Sequence, residues 1–387
     1  MWFDEAKEVI EGLLRRAEEI APAAANGPKD VLPELLAAHV FFLDYEEWAS
    51  AEFPTPQQAE LQDRLRRALS TRASRALFEE AERYREERRE QYTDSWDLMG
   101  GRTDEVCWMA PLAAACRREG LDADAFGRAC LRWSSRAPRF CFQSTRLSFL
   151  EICRAHVEDS DVGPWLSMDE WGLATLPPEI GELTELRGLS VWDAAPSSAL
   201  REIPPELGKL SDLVLLRLRA PLIWTLPSDL AGLVSLETLD LSAMRSELPQ
   251  VVFQLRSLRS LTVREGWPRW TAERFPEAIG DLTELRELVI DAQSLRSLPG
   301  SLERLASLER LELCAGEIQH LPPGLSRLTR LRTLEVSSWA GPALPACLWE
   351  MPFLESLTVQ AAHQKPIAPG QIESLRRALP TTRLRVT

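Results

Sequence analysis

The chain has 387 residues, a formal net charge of -14 and 45% hydrophobic residues, which is enough for two domains or for one domain joined to a long repeat. Asp and Glu exceed Lys and Arg on both sides of Gly163, so the basic face expected of a general nucleic-acid or anionic-membrane binder is lacking. The first residues carry no apolar core of a signal peptide, and no later stretch approaches 18 uninterrupted apolar residues; the expectation is a soluble, cytoplasmic protein.

Seven cysteines, at 107, 116, 130, 141, 153, 314 and 347, include no Cys-x-x-Cys pair and are odd in number, which suits free thiols in a reducing compartment. Arg outnumbers Lys about tenfold and Asn occurs once, at Asn26, a composition pointing to a GC-rich, bacterial genome.

Residues 2–20 place Phe3, Ala6, Ile10, Leu13 and Ala17 at helical spacing. After the break at Pro22–Pro28 a second helix is expected from Asp30, an N-cap, toward Trp48. Pro54-Thr55-Pro56 opens a long helix, 57–92, with Leu61, Leu65, Leu69 and Leu77 on one stripe and alternating Glu and Arg elsewhere. Gly100-Gly101 ends it, and further helices are expected at 104–119, 122–136 and 145–158. No strand pattern precedes residue 160, so residues 1–161 read as an all-helical N-terminal domain.

From Val162-Gly163-Pro164 the periodicity changes. Leu285-x-x-Leu288-x-Ile290, Leu308-x-x-Leu311-x-Leu313 and Leu331-x-x-Leu334-x-Val336 repeat at 23 residues, each followed by a Leu-Pro turn. A fixed period with apolar residues in the same slots marks a solenoid in which each turn buries its leucines against its neighbours. Strand centres fall at Leu189, Leu216, Leu239, Leu261, Leu288, Leu311, Leu334 and Leu357, after a first slot at 165–168 and before a last strand at 384–386. Three steps of 27 residues, after Val191, Val263 and Val359, hold insertions that bulge between strand and turn. The class is α/β: a parallel-stranded horseshoe, 162–387, preceded by helices.

The repeat resembles leucine-rich repeats of the Ras-group type, and Leu176-Pro177-Pro178-Glu179-Ile180-Gly181-Glu182-Leu183-Thr184-Glu185-Leu186 matches the turn phrase of that family closely. The resemblance covers roughly residues 163–387. It implies protein recognition with neither cofactor nor catalysis in the repeats. One departure stands out: where the family places an Asn that bonds backbone groups of adjacent turns, this chain has Trp171, Ala194, Pro221, Met244, Gly266, Gln293, Gly316, Trp339 and Ala362. Backbone or water must then supply those hydrogen bonds, since a buried unpaired group costs about 1–3 kcal/mol.

Residues flanking the inward leucines face the concave side. They put Trp192, Arg217, Arg219 and Arg264 toward one end, Asp240 among them, and Asp291, Glu312 and Glu335 toward the other. Trp and Arg are enriched among interface anchors, and opposite charges at two ends orient a partner. Trp224, Trp267, Trp270 and Trp339 lie beyond the strands and either extend this surface or plug gaps left by the missing Asn ladder. The candidate partner-binding set is Trp192, Arg217, Arg219, Asp240, Arg264, Trp267, Trp270, Asp291, Glu312 and Glu335.

Arg128, Arg132, Arg136, Arg139 and Arg146, interleaved with Phe126, Trp133, Phe140, Phe142 and Phe149, form the one locally basic stretch. It is either an anion or nucleic-acid site or, more simply, helix core with arginines that pair or solvate. Cys153-x-x-His156 is half of a zinc site with no second pair at suitable spacing, so no metal is expected. No nucleophile elbow, phosphate loop, His-Glu-x-x-His or dinucleotide fingerprint occurs. Bacterial leucine-rich-repeat ubiquitin ligases place their helical domain after the repeats and use Cys-x-Asp; here the order is reversed and no cysteine has Asp two residues on. The expected function is therefore a non-catalytic recognition or scaffold protein for a protein partner, with no cofactor and no small-molecule substrate. In it the helical domain caps the solenoid or docks a second partner. The alternative is an effector or toxin-system component whose helical domain carries an activity of unrecognised type.

Overall fold

Backbone contacts divide the chain into two compact units, Met1–His156 and Val157–Thr387. The computed structural model describes residues 11, 12, 15, 31–38, a scatter between 60 and 81, 106–133, 141 and 145–386, less short gaps at 170, 172, 174, 193–199, 201, 220–224, 245–247, 266–273, 293–294, 342 and 362–366. Most of the helices expected at 2–20, 30–48 and 57–92 lies outside the described residues; within the second of them, residues 32–38 are helical, and Leu32, Leu35 and Leu36 are buried.

In the first unit, α1 (Val106–Arg118) and α2 (Ala123–Trp133) follow one another closely. The amides of Gly120 and Leu121 close α1 by donating to the carbonyls of Arg117 and Cys116, at 3.1 and 2.8 Å. Asp122 then opens α2, its carboxylate accepting from the amides of Asp124 and Ala125 at 2.8 and 3.1 Å. Met109, Leu112, Cys116, Phe126 and Cys130 are buried, as the helical stripe requires.

A third helix, α3 (Phe149–Arg154), begins with a capping box. The Glu151 amide donates to Ser148 Oγ at 3.2 Å, and the Ser148 amide donates to the Glu151 carboxylate at 2.9 Å. The bonds from the Ser148 amide and hydroxyl hold the Glu151 carboxyl below its ordinary range.

The helix expected at 145–158 is thus shorter, and residues 157–160 are a strand. β1 (Val157–Ser160) pairs antiparallel with β2 (Gly163–Ser167) through a hairpin in which Gly163 adopts φ +105°, open to glycine at little cost. Val-Glu-Asp-Ser carries one apolar residue, so β1 shows no hydrophobic alternation, and backbone pairing supports it.

From β2 onward every pairing is parallel. The sheet runs in chain order through β3 (Gly188–Trp192), β4 (Leu215–Arg219), β5 (Thr238–Met244), β6 (Ser260–Glu265), β7 (Glu287–Ala292), β8 (Arg310–Ile318), β9 (Thr333–Trp339), β10 (Ser356–Ala361) and β11 (Arg383–Val386). Leucines separated by 22, 23 or 27 residues become neighbours: Leu166, Leu189, Leu216, Leu239, Leu261, Leu288, Leu311, Leu334, Leu357 and Leu384 form one column in register. Opposite the sheet, the prolines that follow an apolar residue at the end of each loop hold φ between -62 and -72° and start 3-10 turns whose apolar residues, Ile180, Leu207, Leu230, Val252, Ile279, Leu302, Leu325 and Leu348, are buried. Five residues suffice for such a turn, leaving room for 22–23 in the circuit. The core fills the space between sheet and turns; α4 (Pro369–Ala378) replaces the last turn, with Leu375 inward.

Candidate functional site

Alternation along each short strand sends the residues between the core leucines to the opposite, solvent side of the sheet. The register lines these residues up in three columns. The first holds Trp165, Gly188, Leu215, Thr238, Ser260, Glu287, Arg310, Thr333, Ser356 and Arg383. The second runs from Ser190 through Arg217, Asp240, Thr262, Val289, Glu312, Glu335 and Thr358 to Arg385, and the third from Trp192 through Arg219, Ser242, Arg264, Asp291 and Cys314 to Ser337.

At the β2–β4 end two guanidinium groups lie over two indoles. The Arg217 guanidinium carbon is 5.5 Å from the Trp165 ring centre, and that of Arg219 is 5.0 Å from the Trp192 ring centre. Both separations fall within cation–π range, worth about 0.5–1 kcal/mol at exposed sites. The Trp165 ring occupies the space a Cβ would take at residue 188: a carbon built there meets Cε3 closest and Cζ3 at 2.7 Å. Only glycine leaves that seat open. Trp192 is fixed from its backbone, for its amide donates to Asp169 Oδ1 at 3.0 Å while the Ser190 hydroxyl donates to the same oxygen at 2.8 Å. Asp169 therefore performs, in the first turn, bridging that was expected of backbone or water alone. The Trp192 indole N–H is buried with no acceptor among the described residues.

Arg264 does not join the positive group. It reaches Asp240 at 3.3 Å, and Asp240 also accepts from the Ser242 hydroxyl at 2.6 Å, so β5 and β6 present a neutral pair. Beyond them, Arg310 bridges Glu312 at 2.7 Å and Glu287 at 3.3 Å. Asp291 and Glu335 add two further carboxylates nearby, leaving this end negative. Cys314 lies among them, its thiol 3.6 Å from a Glu312 oxygen. Burial, then the Glu312 charge, push that thiol up to about 11.

Trp267 and Trp270, like Trp224, lie outside the described residues. Trp171 and Trp339 occupy Asn slots and are buried, 2% and 3% exposed, so these two fill gaps and offer no contact surface. Trp165, Gly188, Asp169, Glu287 and Arg310 escape a reading confined to the residues on either side of the second strand leucine. The signal that could have found the first pair was a lone glycine beside a tryptophan one repeat away.

In the helical unit, Arg128 reaches Asp122 at 3.5 Å, an exposed pair of small energetic weight. Arg146 donates its amide to Asp124 at 2.9 Å; Arg132, Arg136 and Arg139 have no described side chains. A cleft lined by Arg117, Asp122, Asp124, Thr145 and Arg146 mixes both signs and presents no single charge to a ligand. Cys153 is a buried thiol raised by desolvation, and His156 Nδ1 lies 3.2 Å from the Ile152 carbonyl oxygen. Among the described residues no three His, Cys, Asp or Glu side chains come together as a metal site, and no helix is long and apolar enough to cross a membrane.

A model of the leucine-rich repeat region matches residues 205–293, inside the stretch whose strands share one leucine column. The solenoid is a leucine-rich repeat array. Among solved structures, it is similar to a leucine-rich-repeat protein of Leptospira interrogans, at 23% identity over 55% of this chain and 63% of that one, TM-score 0.40. The chain thus spans less than two thirds of that protein. An internalin of Listeria monocytogenes overlaps 65% of this chain and 88% of its own at 16% identity, TM-score 0.32. The leucine-rich repeat domain of the type III effector XopL overlaps 89% and 92% at 19% identity, TM-score 0.39. No curated protein matches the sequence. These overlays are loose, and the assignment of the leucine-rich repeat array rests on its period, its register and the family match.

Proposed function

We propose that the protein is a non-catalytic recognition or scaffold protein that binds a protein partner on the concave face of its repeat array. The observation that carries this reading is the pair of arginine–tryptophan stacks, Arg217 on Trp165 and Arg219 on Trp192, at one end of a face that turns acidic at Glu312 and Glu335. Stacked arginines lose little further side-chain freedom on binding and keep their donors for a partner. Arg217 and Arg219 supply the anchors, Trp192 apolar area, and Asp291, Glu312 and Glu335 the opposite pole; Asp240 and Arg264 form a neutral floor. Trp267 and Trp270 belong to the proposed surface as an extension from the insertion after β6. Six free cysteines among the described residues fit a cytoplasmic setting. The net charge of -14 disfavours nucleic acid as partner.

The test is affinity capture from lysate with the intact chain beside the variant Trp192→Ala, Arg217→Glu, Arg219→Glu, its fold checked by circular dichroism. A partner retained by the intact chain and lost by the folded variant supports the concave face. A partner retained equally by both places the site elsewhere and refutes the reading.

A further inference from the structure

We infer that the occupant of the concave face is a charge-segregated, extended segment of a partner protein, with its acidic end over β3–β4 and its basic end over β7–β9. The inference rests on the concave-face reading above and specifies the chemistry of what binds there.

The charges are sorted by strand. On β3 and β4 the solvent face carries Arg217 and Arg219; the Asp169 carboxylate nearby is taken up by the Ser190 hydroxyl and the Trp192 amide, and no ion pair engages either guanidinium among the described residues. Both are exposed. On β5 and β6 Asp240 is paired with Arg264 at 3.3 Å, with Thr262 and Ser242 beside them. On β7, β8 and β9 Glu287, Glu312 and Glu335 outnumber Arg310, which the first two share, and Asp291 stands in the same face. The solvent face of β10 is uncharged, and Arg383 and Arg385 return the sign to positive on β11.

Geometry sets the spacing. From β4 to β8 is four strand intervals of about 4.8 Å, or about 19 Å. An extended chain rises about 3.3 Å per residue, so its acidic and basic groups stand about six residues apart. The paired charges between suit an uncharged stretch. The positive pole is β4 and not β11 because the arginines of β4 are held on tryptophans, one of them seated on Gly188. The distance from β8 to β11 would instead call for a gap of about four residues.

The experiment measures fluorescence anisotropy of labelled synthetic peptides on the full chain at low and at physiological salt. The peptides carry a Glu-Glu block and a Lys-Lys block separated by two, four, six or ten Gly/Ser residues, and a control of the same composition alternates Glu with Lys. The expected result is binding at least tenfold tighter for the six-residue gap than for the alternating control, weakening with salt. The variant Arg217→Glu, Arg219→Glu should instead favour an all-lysine peptide at least tenfold over the segregated one. A second variant, Glu312→Gln with Glu335→Gln, should lose the contribution of the lysine block while keeping that of the glutamates.

Equal binding of segregated and alternating peptides overturns the inference, as does no measurable binding of any peptide. An optimum at four residues that survives Arg217→Glu, Arg219→Glu also overturns it, by moving the acidic end to β11. If the peptides fail while the triple variant still loses a captured partner, only this inference falls. If the triple variant also keeps the partner, the concave-face reading falls with it.

Discussion

Replacing Gly188 by alanine tests whether the aromatic end of the face is built as described. A carbon at that position meets Trp165 Cζ3 at 2.7 Å and Cδ2 at 3.2 Å, with Cε3 nearer still. Ordinary carbon contacts lie at about 3.5–4.0 Å, so the indole must retreat by roughly 1.5 Å. Arg217 stands 5.5 Å from the ring centre, and the attraction fades beyond about 6 Å, so the same movement also loosens the stack. Crowding costs about 1 kcal/mol, the low end of the usual range because Trp165 is half-buried and can swing outward, and the lost stack adds about 0.5–1 kcal/mol. Alanine returns about 0.4–1 kcal/mol by restricting the unfolded chain, leaving a net loss of about 1 kcal/mol. The decisive assay is a double-mutant cycle in urea denaturation. With Trp165→Ala already in place, Gly188→Ala should become neutral or stabilising, a coupling of about 1.5 kcal/mol. If Gly188→Ala costs the same in both backgrounds to within about 0.5 kcal/mol, the indole is not seated on Gly188, and the argument from a pre-set Arg217 fails with it.

Adjacent residues of β8 should respond in opposite ways. Leu311→Ala, at 0% exposure in the leucine column, should lose about 2–5 kcal/mol, whereas Glu312→Ala, on the solvent face, should stay within about 1 kcal/mol by chemical denaturation. Burial holds the Cys141 thiol up at about 12, against an unfolded value near 9. A raised thiol contributes stability fully present below the unfolded value and lost as pH rises through the folded one. Denaturation midpoints should therefore fall between about pH 9 and 12, and Cys141→Ala should flatten that fall; an unchanged slope in the variant would contradict it.

The solenoid was legible because its physics is repeated. Each turn must send one leucine to the same column, so the period survives any single irregular turn, and alternation then assigns the solvent columns. What escaped depended on contacts between repeats. Arg264 looks like an unpaired anchor along its own strand, and only the register sets it diagonally across from Asp240. Arg310 and Glu287 precede the first leucine of their strands, a slot that also faces solvent, and they bring a guanidinium in among the carboxylates without changing the net charge of the acidic end. Asp169 stands 23 residues before the backbone amide it accepts from. β1 left no trace in hydropathy because a polar edge strand needs none.

That same β1 breaks the translational order of the array. A stack of parallel turns resembles a crystal in one dimension: each exposed edge is a template for the next unit, whether that unit comes from the same chain or another. At the β1 edge the direction reverses: Val157 stands opposite Leu166, and Glu158, Asp159 and Ser160 are exposed. An incoming strand meets two carboxylates to desolvate and a single valine in place of a leucine. The hairpin thus offers an incoming chain a polar edge where another turn of the array would offer a row of leucines.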